Sequence, residues 1–86
     1  MTPTQCRAAR SLLGWSLDRL KEETKLSGDE VARVTIVNFE KGRGVRDDRV
    51  RAMRQTLESA GVVFIGEGEV SREGGQGVRF ERQQGD

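Results

Sequence analysis

Residues 16–42, SLDRLKEETKLSGDEVARVTIVNFEKG, read as two short helices with a turn between them and a glycine stop at the end. Ser16 is a natural N-cap, because its hydroxyl can accept from an orphan N–H of the opening turn. Leu17 and Leu20 then lie at i, i+3, while Asp18, Arg19, Lys21, Glu22 and Glu23 make up a solvated remainder. The pattern predicts a helix ending near Thr24 or Lys25, too short to hold without packing from its neighbours. Leu26-Ser27-Gly28-Asp29-Glu30 admits two readings. Ser27 with Glu30 three residues later fits a capping box, which would start the next helix at Gly28. Alternatively Gly28-Asp29 belongs to a loop and the helix begins near Arg33. Ile36 and Phe39 then supply its buried stripe, with Val31 or Ala32 one turn earlier if the helix is long, and Gly42 and Gly44 end it.

Upstream, Thr2-Pro3 reads as a helix start, with Thr2 as N-cap and Pro3 where a missing N–H costs nothing. Cys6, Ala9 and Leu13 follow at helical spacing with Leu12 beside them, and Gly14 stops the helix. Cys6 on this stripe reads as a small buried hydrophobe. Trp15, between Leu13 and Leu17, reads as core. Downstream, Asp47-Asp48 open another helix, favoured at the positive end of its dipole. Val50, Met53, Leu57 and Ala60 form its apolar face and Gly61 its C-cap. The pattern then turns from helical to extended. Val62-Val63-Phe64-Ile65 is a β-branched and aromatic run, and Gly77–Glu81 alternates apolar with polar. With Gly66–Gln76 between them, they predict a hairpin with a long loop. A lone hairpin is marginal in water, and its free edges suit pairing across a two-fold axis. Val62, Val63, Phe64, Ile65, Val78 and Phe80 are therefore the expected dimer contacts. The expected division is a helical unit over 1–61 and a hairpin with tail over 62–86.

The whole is a mainly α fold, a compact bundle of four to five helices followed by a C-terminal β-hairpin. The composition narrows its functions. Residues 1–65 carry 12 Lys/Arg and 9 Asp/Glu, a net of +3, and residues 66–86 carry 3 and 5, a net of −2. A polyanion-binding surface therefore belongs to the first part. One cysteine and no histidine leave no disulfide, no ordinary zinc site and little chemistry for an enzyme. No cofactor or metal is expected. No apolar run approaches the roughly 20 residues that cross a membrane. The N-terminal residues lack the apolar stretch of a signal peptide, so the expected location is cytoplasmic.

Thr2-Pro3, Gln5-Cys6-Arg7-Ala8-Ala9-Arg10 and Leu12-Leu13-Gly14-Trp15-Ser16 resemble the opening of small phage-repressor-like regulators of bacteria, the Cro or XRE type. The resemblance continues through Leu20, Leu26-Ser27, Thr35-Ile36, Asn38-Phe39-Glu40 and Gly42. It resumes at Leu57, Ala60-Gly61-Val62, Phe64-Ile65 and Gly77–Phe80. It implies a lambda-repressor-like bundle of about five helices whose second and third form a helix-turn-helix. It also implies a homodimer reading two half-sites of double-stranded DNA, and an ion pair between Arg10 and Glu40 that fastens the reading helix to helix one. Three features depart from it. Seven residues separate Leu26-Ser27 from Thr35-Ile36 where relatives usually have two. Lys25 stands where a turn glycine is usual, and Lys21 where a small Ala is usual.

On the reading helix, Arg33, Thr35 and Asn38 are the candidates for DNA contact, since Arg suits guanine and Asn suits adenine edges. The plain alternatives are Thr35 as an N-cap and Asn38 as a surface polar residue. Lys41, Arg43 and Arg46 lie in a glycine-punctuated basic loop suited to phosphates; the plain alternative is a solvated face. The expected function is a dimeric sequence-specific transcriptional regulator, most simply a repressor. Its rival is a protein-binding antitoxin or anti-activator on the same frame, which the acidic stretch 28–32 favours.

Overall fold

The computed structural model describes residues 1–65 and 77–80. It contains four helices, α1 Pro3–Leu13, α2 Leu17–Leu26, α3 Arg33–Glu40 and α4 Asp47–Ser59. Two strands follow, β1 Val62–Ile65 and β2 Gly77–Phe80. The strands pair antiparallel, with Val62 opposite Phe80 and Ile65 opposite Gly77. The fold is thus mainly helical with a C-terminal two-stranded hairpin. The predicted loop 66–76, the last strand residue Glu81 and the rest of the tail lie outside the described residues.

Each helix boundary has a local cause. Thr2 caps α1 in a full capping box, its hydroxyl accepting from the Gln5 N–H while the Gln5 side chain accepts from the Thr2 N–H. Gly14 closes the helix at φ 71°, a left-handed conformation that disfavours a Cβ. The Ser16 hydroxyl accepts from the Arg19 N–H and starts α2. This helix runs to Leu26, one or two residues past the predicted end, because Ser27 acts as its C-cap. The Ser27–Glu30 capping box does not form. Gly28, at φ 97°, turns the chain out of α2, and Ala32 occupies the N-cap position of α3 without a side-chain bond. The loop reading of Gly28-Asp29 is the correct one, and Thr35 sits inside α3 and not at its cap.

The core joins every element. Cys6 and Ala9 from α1, Leu20 from α2, Ile36 and Phe39 from α3, Ala52, Met53 and Leu57 from α4 and Val62 from β1 are all buried. Val31 of the α2–α3 connection completes it at 0% exposure. On α4 the buried face is Ala52, Met53, Thr56 and Leu57, with Val50 and Ala60 at its margins. That face is turned from the predicted 50/53/57/60 stripe because α4 packs on α2 and β1 together. Gln5 is buried as well, and its Nε2 donates to the Ile65 carbonyl at 2.8 Å and the Gly77 carbonyl at 3.1 Å. One side chain therefore caps α1 and clasps both strands onto it.

Candidate functional site

The outward side of α3 faces solvent because the inward side is fully committed. Ile36 and Phe39 are in the core, and Glu40 is 8% exposed at the end of the helix. Two guanidinium nitrogens of Arg10 donate to Glu40, Nε to Oε2 and Nη2 to Oε1, each at 2.8 Å. This bidentate geometry is the strong form of a carboxylate pair. Arg10 also donates through Nη1 to the Trp15 carbonyl, and Arg7 donates to the Glu40 carbonyl. Cys6 does more than pack. Its Sγ donates to Glu40 Oε2 at 3.3 Å.

These contacts set the ionisation of the cluster. Burial alone would raise the Glu40 carboxyl, but hydrogen bonds from Arg10 and Cys6 and the charges of Arg10 and Arg7 outweigh it and hold it low. Arg10 is raised by its hydrogen bond to Glu40 against the opposing effect of burial. The Cys6 thiol is pushed up to about 12 by burial and then by the neighbouring Glu40 charge. Cys6 is therefore a neutral donor at physiological pH.

Arg33 and Val34 are exposed on the first turn of α3, and Thr35, Val37 and Asn38 are half-buried. Arg33 pairs through Nε with Asp18 in the first turn of α2 at 3.2 Å. Thr35, Asn38 and Arg46 line one groove of about 210 Å³ with Gly44, Val45 and Arg49. Arg43 joins this group by donating to Asn38 Oδ1 at 3.1 Å. Arg46 at the N-cap of α4 pairs with Asp48 at 3.0 Å. Lys41, the C-cap of α3, is exposed and does not line the groove. The candidate residues Thr35, Asn38, Arg43 and Arg46 are thus brought together, Arg33 stands at the start of the same helix, and Lys41 is at its far end.

Two cations beside this group were not among the candidates. Arg49 lines both the first groove and a second of about 310 Å³, which Lys21, Glu30, Ala32 and Thr35 complete. In the sequence Arg49 is one of several arginines in a charged run, and nothing local shows which of them faces α3. Val34, 63% exposed, is an apolar side chain on the same outward face and was also not singled out.

The hairpin residues divide by face. Val62 is 2% exposed inside the chain's own core, so its expected dimer contact is corrected: the side chain is already used. Phe64 and Val78 pack on the core, with Arg54 over the Phe64 ring at 5.3 Å. Val63 and Ile65 alternate to the other face and are half-buried, while Phe80, paired with Val62, lies on the core side at its margin and is 38% exposed.

Among the described residues, no helix is long and apolar enough to cross a membrane. No protein-family model and no curated protein matches this chain.

Proposed function

We propose that the chain is a sequence-specific DNA-binding transcriptional regulator of the phage-repressor-like, XRE type. It acts in the cytoplasm as a homodimer that occupies a palindromic operator and represses transcription, its own gene included. One observation carries this reading. Glu40 is clamped by Arg10 at the inner end of α3, so the helix is held by its buried side while Arg33, Val34, Thr35 and Asn38 project beside a cationic groove. Arg33 and Asn38 read base edges in the major groove, and Arg43 and Arg46 neutralise phosphates. The Arg33–Asp18 pair is no obstacle. Both side chains are more than half exposed, and such pairs contribute roughly 0–1 kcal/mol.

The α2–α3 connection also supports the resemblance, at the place where the sequence departs from it. Leu26 is 76% exposed, whereas Val31 is fully buried and Ala32 takes the N-cap position. Val31-Ala32 therefore stand, by burial and by position before α3, where the resemblance had put Leu26-Ser27. Two residues, Arg33-Val34, then separate them from Thr35-Ile36, the usual interval. The extra residues belong to the connection, and the reading helix keeps its ordinary length.

The test is fluorescence anisotropy with labelled duplex from upstream of the chain's own gene, beside a scrambled duplex, at low and moderate salt. Tight binding to the upstream duplex alone supports the reading. Equal, salt-labile binding to both overturns it. The rival reading, a module that binds another protein, is favoured by Leu26, a large apolar residue exposed next to the acidic connection. Binding to a protein partner through apolar contacts would persist as salt rises, whereas phosphate contacts weaken steeply.

A further inference from the structure

We propose that the groove between α2, α3 and α4 is a seat for one backbone phosphate of DNA, and that Asp29 and Glu30 restrain it as built-in competitors. This rests on the DNA-binding reading and adds to it a contact and its restraint. Lys21 from α2, Thr35 from α3 and Arg49 from α4 line one cleft of about 310 Å³. Two cations and a hydroxyl converging from three helices suit a phosphodiester, whose charge the cations neutralise and whose oxygens accept from the donors.

Each cation already faces a carboxylate. Lys21 Nζ lies 3.5 Å from Glu30 Oε2, and Arg49 Nη1 lies 3.5 Å from Asp29 Oδ1. Both contacts are longer than the roughly 2.7–2.9 Å of tight charge-assisted bonds. The four side chains are 39–63% exposed, so water screens the pairs and an incoming anion can exchange with them.

The carboxylates cannot drift far from the groove. Val31, next in the chain, is fully buried, and its N–H donates to Thr24 Oγ1 at 2.9 Å. Thr24 is itself buried and donates to the Lys21 carbonyl at 2.6 Å. The connection is therefore pinned next to the cations it neutralises. A phosphate entering the groove displaces both carboxylates and keeps them as neighbours. The penalty is the same for every DNA sequence, so it lowers operator and non-operator affinity by the same factor and leaves the base contacts of α3 untouched.

The experiment measures anisotropy of a labelled duplex of random sequence against sodium chloride concentration. It compares four forms of the full chain: the native protein, D29N/E30Q, K21Q/R49Q and the quadruple variant. All the changes are at exposed or half-exposed polar positions, and thermal melts confirm that each form folds. D29N/E30Q should bind the duplex tighter by roughly 3–10-fold, the scale of two surface ion pairs. K21Q/R49Q should bind weaker, with the slope of log affinity against log salt shallower by about 1, the value for one phosphate. The gain from D29N/E30Q should vanish when Lys21 and Arg49 are absent. An equal gain in both backgrounds, which is what general charge repulsion gives, overturns the proposal, as does no gain at all. In both those cases DNA binding itself stands. Absence of binding by all four forms at low salt overturns the DNA-binding reading and this proposal with it.

Discussion

Glu40 is the residue on which the presentation of α3 depends. It ends the helix, is nearly enclosed, and accepts from Arg10 twice and from Cys6 once. Glu40→Gln leaves Arg10 without its counter-charge, and breaking a buried pair in this way costs about 3–5 kcal/mol. For a domain of this size the melting temperature should fall by at least about 12 °C. A thermal melt that barely moves would show that the pair does not hold the helix. The pH dependence has two limbs. The Glu40 carboxyl is held low in the fold, so its stabilisation is present above the ordinary carboxylate range and is lost as pH falls through its folded value. The Cys6 thiol is raised from 9.0 to about 12, so its contribution is present below about 9 and is lost as pH rises towards 12. Melting temperature should therefore be level near neutrality and decline on both sides. Glu40→Gln should flatten the acid limb.

Two connections decide how the elements are arranged. The first is the α2–α3 connection, where Val31 and not Leu26 enters the core and so sets where α3 begins. The second is the hairpin, whose attachment to α1 runs through Gln5. Gln5→Glu separates the two duties of that side chain. A carboxylate can still accept from the Thr2 N–H, but it has no donor for the Ile65 and Gly77 carbonyls. Two part-buried acceptors lose this donor, at a cost of up to about 1 kcal/mol each. Amide hydrogen exchange should then show β1 and β2 losing protection while α1 keeps its own. Unchanged protection of the strands would mean that packing of Val62, Phe64 and Val78 holds the hairpin without Gln5.

For the molecule as a whole, assembly turns on the face of the hairpin that the core does not use. Val62, Phe64 and Val78 serve the monomer, and Phe80, paired with Val62, shares their face, leaving Val63 and Ile65 on the other face for a second chain. Deleting the hairpin is a poor test, because it removes Val62 from the core. Val63→Lys with Ile65→Lys keeps the core intact and places charge on the outer face. Light scattering should report a dimer for the native chain and a folded monomer for the variant. A variant that remains dimeric would move the interface elsewhere. The same variant should lose operator affinity more than random-duplex affinity, because two linked half-sites act together only in the dimer.

Much of the fold was legible because its determinants are local. Thr2, Ser16 and Gly14 act on backbone groups within a few residues, the C-cap of α4 falls on Ala60, one residue before the expected Gly61, and the β-branched run at 62–65 leaves one reading. Of the candidate site, α3 itself and the basic loop could be read off, since Ile36 and Phe39 fix the helix's inward side and so its outward one. The start of α3 could not. Ser27 and Glu30 have the spacing of a capping box, while the true cap position holds Ala32, which has no side-chain oxygen to signal it. Interactions that span the chain were beyond local pattern altogether. Arg10 and Glu40 are 30 residues apart and could be paired only by resemblance, and Gln5 and Gly77 are 72 apart. Nor does a run of arginines say which of them faces a neighbouring helix. The ends of α1 and the start of α2 follow from hydrogen bonds made within one turn, so sequence alone determines them here. Which cation meets which carboxylate, and which of Leu26 and Val31 is buried, depends on helices arriving from elsewhere in the chain, and that is a property of packing.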